Sequence, residues 1–208
     1  MNDVKLNDAW KNKKVFEKQL KCNISELSSK DNYPPHWNSS LELISHHEPK
    51  TILDVGCGCG AFCEVCFRNI PNLLYTGMDY SEDAIRIAKE NFNDSAFFVK
   101  DVLELTKEDV EDYDLVFMGA LLDVRSDANE ILEHVLSLKP KSLLLSRVKL
   151  TESDSYIETY EAYDEIETCA FYHNVQNFVD MCKRYGYDMV NIQDNYYLTL
   201  GNEDADTK

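Results

Sequence analysis

The chain has 208 residues, enough for one domain with a full buried core, and its 44% hydrophobic and 28% charged residues are those of a globular protein. A formal net charge of −17 argues against the basic stripe of a nucleic-acid binder, so no nucleic acid is expected as a partner. No run reaches the roughly 18 apolar residues of a membrane span, so no membrane partner is expected either. The start has no signal-peptide core, and the seven cysteines, an odd number, argue for reduced thiols. The expected location is the cytoplasm.

In chain order, residues 1–30 carry Trp10, Val15, Phe16 and Leu20 at loose helical spacing, which predicts one or two amphipathic helices. The segment from Asp31 to Asn38 contains Pro34 and Pro35 beside three rings, and reads as extended and rigid. It leads into a helix from Ser39 to His46. Residues 1–40 are accordingly read as a helical cap segment. The domain proper spans 41–201, and a polar tail occupies 202–208.

From residue 51 strand and helix alternate. This pattern predicts a doubly wound α/β fold, a mainly parallel sheet with helices on both faces. Strands are predicted at 51–55, 74–78, 96–99, 114–118 and 142–146, with helices after the first, second and fourth. Residues 150–173 are rich in acids and tyrosines without a sustained apolar period, and read as a long functional loop. Helical phase returns at Val175, Phe178, Val179 and Cys182. Two last strands, 187–192 and 196–200, read as a hairpin across Gln193, Asp194 and Asn195.

The first strand breaks into Asp54-Val55-Gly56-Cys57-Gly58-Cys59-Gly60 and re-emerges as a helix. Glycine permits a tight turn and close approach by a ligand, while a new helix offers unpaired N–H groups. Three acids fall at the ends of successive strands: Asp54, Asp79 and Asp101. In an open α/β sheet those ends line the ligand crevice. Asp79 is placed to accept hydrogen bonds from two ribose hydroxyls, and Asp101 to reach an adenine amine.

This order resembles class I S-adenosylmethionine (SAM) dependent methyltransferases, well over residues 51–146 and more loosely over 174–200. The resemblance implies a Rossmann-like sheet of seven strands, mostly parallel, with the last antiparallel. It implies SAM as cofactor and S-adenosylhomocysteine as product. Gly56, Gly58 and Gly60 would let the backbone pass close to the cofactor, with Asp54 near its amino end. Asp79 would hold the ribose, Tyr80 border the adenine, and Asp101 with Val102 recognise its edge. Cys57 in the turn and Gly119 after strand four complete the expected cofactor set.

Cys59, Cys63 and Cys66 also spell the Cys-x3-Cys-x2-Cys spacing of radical SAM enzymes, which hold an iron–sulfur cluster. Cys63 and Cys66 fall within the predicted helix, where free cysteine packs as a small hydrophobe. No metal is therefore expected.

His173 is the candidate base or orienter. Trp37, Asp123, Tyr160, Tyr163 and Tyr172 are candidates for the acceptor pocket, built from residues 1–40 and 147–173. Strand four leads into Gly119-Ala120-Leu121-Leu122-Asp123 rather than the Asn/Asp-Pro-Pro-aromatic motif of nucleic-acid amino methylases. The expected activity is methyl transfer to an oxygen or nitrogen of a small molecule. A protein-directed methyltransferase, or a SAM-binding sensor that transfers nothing, are the alternatives.

Overall fold

The seven-stranded sheet forms because short, largely apolar runs at its centre are covered on both faces, and parallel neighbours need helical crossovers. In the computed structural model residues 3–92, 96–163 and 166–201 are described. Two helices come first, α1 (Asp3–Asp8) and α2 (Lys13–Glu26), followed by α3 (Pro35–His47). Then β1 (Thr51–Val55), α4 (Ala61–Asn69), β2 (Leu74–Asp79), α5 (Glu82–Asn91) and β3 (Ala96–Val99) alternate. After the single turn α6 (Lys107–Val110) come β4 (Leu115–Met118), α7 (Ala128–Ser137) and β5 (Ser142–Leu145). The chain then builds β6 (Lys149–Thr151), β7 (Tyr156–Ala162) and β8 (Ile166–Asn174). It closes with α8 (Val175–Arg184), β9 (Tyr187–Ile192) and β10 (Asn195–Leu200).

Sheet order is β3-β2-β1-β4-β5-β10-β9, with β1 to β5 parallel and β10 antiparallel to both its neighbours. This is the seven-stranded architecture that the family resemblance implies. The order reverses between β1 and β4, so a crevice opens beyond the carboxyl ends there. Successive strand residues feed opposite faces. Leu53, Val116 and Leu143 pack against α7 and α8, while Ile52, Leu115 and Leu144 pack against α3, α4 and α5. Phe16 of α2 joins Cys59, Ala84 and Ile87, and Val15 joins Ala162 and Ile166. Thus α2 is wedged between the glycine turn, α5 and the second sheet.

Three expectations are corrected. The stretch 150–173 is not a loop but most of a three-stranded sheet, in order β6-β8-β7. Its strands escaped a periodicity reading because β7 is exposed over most of its length while β8 is largely buried; neither alternates cleanly. Their tyrosines and threonines are strand formers without being a hydrophobic signal. Helix α3 starts at Pro35, not Ser39: proline suits a first helical position, where no N–H is needed and φ is already set. The extended conformation is confined to Tyr33 and Pro34, just before the helix. The last hairpin turns on Gln193 and Asp194 alone, and Asn195 opens β10. The tail from Asn202 lies outside the described residues. Among the described residues no helix is long and apolar enough to cross a membrane.

Candidate active site

Two chambers sit over the tips of β1, β2 and β4. The larger, about 340 Å³, is lined by Met78, Asp79, Tyr80 and Val102 below and by Trp10 and Phe16 above. The smaller, about 200 Å³, is lined by Asp54, Cys57, Gly119, Phe117, His36 and Trp37. Six residues line both: Gln19, Gly56, Gly58, Ala120, Arg147 and Tyr163. They mark the seam between the chambers.

The glycine turn is held open for a ligand by its neighbours. Gly58 has a φ of 53°, and a Cβ there would meet Gln19 Oε1 at 3.0 Å. Its N–H donates to Asp79 Oδ2 at 3.0 Å, while Ser81 N–H donates to Asp79 Oδ1 at 2.9 Å. Asp79 is nearly fully buried, and burial pushes its carboxyl up to about 6 against those two N–H bonds and the Arg125 charge. Asp54 is more extreme. Burial pushes it up to about 7; the Tyr75 hydroxyl, which donates to Oδ2, pulls down, and the charge of Asp79 pushes up. Its Oδ1 is buried with no hydrogen-bond partner. A buried acceptor left unpaired costs free energy comparable to a lost hydrogen bond, so it calls for a cation or donor from the smaller chamber. The ammonium of SAM is such a group, and the residues present fit that cofactor.

That assignment has a pH signature. Because the folded-state value of Asp54 lies above its unfolded one, its contribution to stability is full below the ordinary carboxylate range and is lost as pH rises through about 7. The ligand-free protein should therefore lose thermal stability between pH 5 and 7.5 by more than its Asp54→Asn variant does. Saturating SAM should remove the difference. Equal slopes in wild type and variant would sink the assignment.

The other predicted residues divide cleanly by position. Tyr80 lines the larger chamber; its hydroxyl donates to the Asn7 carbonyl at 2.5 Å, and Lys11 Nζ and Arg125 Cζ each lie 5.2 Å from its ring centroid. Asp101 stands just outside the lining, between Lys100 and Val102, and its Oδ1 accepts from Leu103 N–H at 3.0 Å. Gly60 caps α4 behind the turn. Trp37 faces the smaller chamber, Tyr160 faces the larger, and Tyr163 lines both. Asp123 is buried behind the seam, its Oδ2 2.7 Å from Arg147 Nη2.

Gly60, Asp101 and Asp123 thus stand behind the linings, and His173 and Tyr172 lie away from them. His173 lies within β8 at 1% exposure, its Nδ1 2.8 Å from Asn129 Oδ1, between the rings of Phe171 and Phe178. Burial lowers it to about 4. It is a neutral packing histidine, placed there because the predicted loop is a largely buried strand. Tyr172 points away from the site, stacked on Tyr156 at 4.7 Å between centroids. Cys63 and Cys66 are fully buried in α4, and the Cys59 thiol donates to the Phe16 carbonyl. Among the described residues no cluster of three or more His, Cys, Asp or Glu is placed to hold a metal. Sequence reading missed Gln19, Arg125 and Arg147. Arg147 had a signal, since it follows β5 and strand ends line the crevice; Gln19 had none.

Residues 53–142 match a family model described as a methyltransferase domain. Over 133 residues the chain is 32% identical to malonyl-[acyl-carrier protein] O-methyltransferase 1 of Ilyobacter polytropus, covering 60% of this chain and 49% of the relative. A second such protein of that organism is 29% identical over 164 residues, covering 76% and 58%. The chain thus spans about half the length of the curated relatives it matches. Among solved structures it resembles human N-acetylserotonin methyltransferase in complex with SAM, with a TM-score of 0.60, 15% identity, and 81% and 52% coverage. A SAM-dependent methyltransferase structure from Listeria monocytogenes gives the same TM-score at 16% identity, covering 80% and 98%. The match over residues 53–142, the strand order and the glycine turn over paired chambers agree: the chain has the class I methyltransferase fold, and its residues 53–142 resemble a methyltransferase domain.

Proposed function

We propose that this protein transfers the methyl group of SAM to an oxygen or nitrogen of a small-molecule acceptor. The observation that carries the reading is the seam. A nucleoside held by Asp79, Tyr80 and Val102 and an amino-acid end held by Asp54 place their connection at the residues common to both chambers. SAM supplies an activated methyl on a sulfonium. The protein supplies alignment, a roof of Trp10 and Phe16 that excludes water, and an acceptor wall from Arg147, Tyr160 and Tyr163. The acidic surface supports a small acceptor over a nucleic acid. Free cysteines in every described position support a cytoplasmic location.

A protein-borne acceptor is the second reading, favoured by the names of the two relatives above. Calorimetry with SAM and S-adenosylhomocysteine tests the cofactor site. Label from methyl-labelled SAM, traced in a cell extract, then decides the acceptor. Label in small molecules supports the first reading and label in macromolecules the second. Tight binding with no label in either fraction means a sensor and refutes both.

A further inference from the structure

Arg125 lines the larger chamber at its nucleoside end, beside Asp79, Tyr80 and Val102, yet it is 6% exposed. A buried guanidinium needs a partner, and one edge of this one is held. Nε donates to Asp127 Oδ1 at 2.9 Å and Nη2 to Oδ2 at 2.7 Å, the two parallel bonds of a fork on a carboxylate. Asp127 occupies the cap position of α7, where an aspartate ordinarily accepts a helix N–H, but its side chain makes no cap bond. That carboxylate is committed to Arg125 instead.

One face of the guanidinium is taken as well. Its Cζ lies over the Tyr80 ring, 5.2 Å from the centroid. Lys11 Nζ lies over the same ring at the same distance, but the Lys11 side chain is 54% exposed and stands outside the chamber lining. Lys11 therefore covers Tyr80 from the solvent side and Arg125 from the chamber side. With one edge on Asp127 and one face on Tyr80, Arg125 has its second face and its Nη1 corner left for the chamber. Around it Met78, Val102, Leu121 and Val124 are apolar, as the walls of small-molecule sites mostly are.

We propose that Arg125 is a cofactor-binding residue: its guanidinium, braced by Asp127 and backed by Tyr80, stacks on the adenine of SAM. This rests on the methyl-transfer reading above and adds a residue to its cofactor site. A guanidinium suits the role because it is planar, weakly hydrated and stacks on aromatic faces, which an ammonium does not. Asp127 also balances the arginine's charge, so the stack adds little repulsion against the sulfonium of the same ligand. Tyr80 then holds the nucleoside in part through Arg125.

The test uses wild type, Arg125→Lys, Arg125→Met, Asp127→Asn, and Arg125→Met combined with Asp127→Asn. Each is titrated calorimetrically with SAM, with S-adenosylhomocysteine and with methylthioadenosine, which keeps the nucleoside and lacks the amino-acid end. All three ligands should bind Arg125→Met and Arg125→Lys about five- to tenfold more weakly than wild type. Asp127→Asn should weaken binding about threefold alone and add nothing to Arg125→Met, as expected of a residue that acts through Arg125. Arg125→Lys decides the matter if Arg125→Met does not fold. Lysine keeps a positive charge near Asp79 and loses the plane, so wild-type affinity in Arg125→Lys reduces the arginine to a charge effect and overturns the stack. Unchanged affinity in Arg125→Met overturns it too, as does a loss seen with S-adenosylhomocysteine and not with methylthioadenosine. In each of those cases the methyl-transfer reading stands. If neither SAM nor S-adenosylhomocysteine binds wild type, that reading falls, and the stack with it.

Discussion

Asp79→Ala should weaken SAM binding at least about tenfold, equivalent to about 1.4 kcal/mol, in a calorimetric titration. The carboxylate does two things that alanine cannot. It is the acceptor at the tip of β2 facing the larger chamber, and it accepts the Gly58 and Ser81 N–H groups that fix the glycine turn and open α5. Removing it deletes a ligand contact and leaves two buried N–H groups without their acceptor. Asp79→Asn separates the effects, because its amide oxygen keeps one of the two N–H bonds at the same volume. An Asn variant that stays folded but still loses affinity locates the effect in the ligand contact. Unchanged affinity in both variants would refute the assignment.

Gly60→Ala should lower stability by roughly 2–4 kcal/mol, adding a left-handed backbone cost to an overpacking cost. Its φ is 80°, and a Cβ would stand 2.9 Å from both Ala88 Cβ and Phe97 Cζ, buried groups of α5 and β3 with little room to move. For a chain of this size that is a fall of about 4–16 °C in the thermal midpoint. Gly58→Ala makes the contrast. Its Cβ meets only the tip of Gln19, a flexible side chain that can swing aside. It should cost no more than the backbone share, about 1–2 kcal/mol, and act mainly on SAM affinity. Equal destabilisation by the two changes would show that packing against Phe97 is not what demands glycine at 60.

Much of this is legible in the sequence. The strand ends at Val55, Asp79, Val99 and Met118 follow from short apolar runs closed by glycine or acid, and those signals are local. The chambers over β1, β2 and β4 follow from the same signals, since strand ends converge wherever the sheet order reverses. The acceptor side was less legible because it is made by non-local packing. Nothing in residues 150–173 announces that β8 turns His173 toward α7 and α8 while β7 turns Tyr160 toward the chambers. Burial, not spacing, decides which tyrosine faces a ligand. Arg147 was overlooked because a lone basic residue after a strand resembles any solvated charge until its buried partner is seen.

The N-terminal helices have one more consequence. Asn7 takes the Tyr80 hydroxyl on its carbonyl and Ser126 N–H on its side chain, and Lys18 Nζ donates to the Tyr163 carbonyl at 2.6 Å. Above the larger chamber, then, stands a stitched hatch rather than a rim. A ligand that enters on that side must first part those stitches, which should slow its association relative to an open cleft. Asn7→Ala, which removes the Ser126 stitch and leaves the one made by the Asn7 backbone carbonyl, should speed ligand entry and departure together in a stopped-flow measurement.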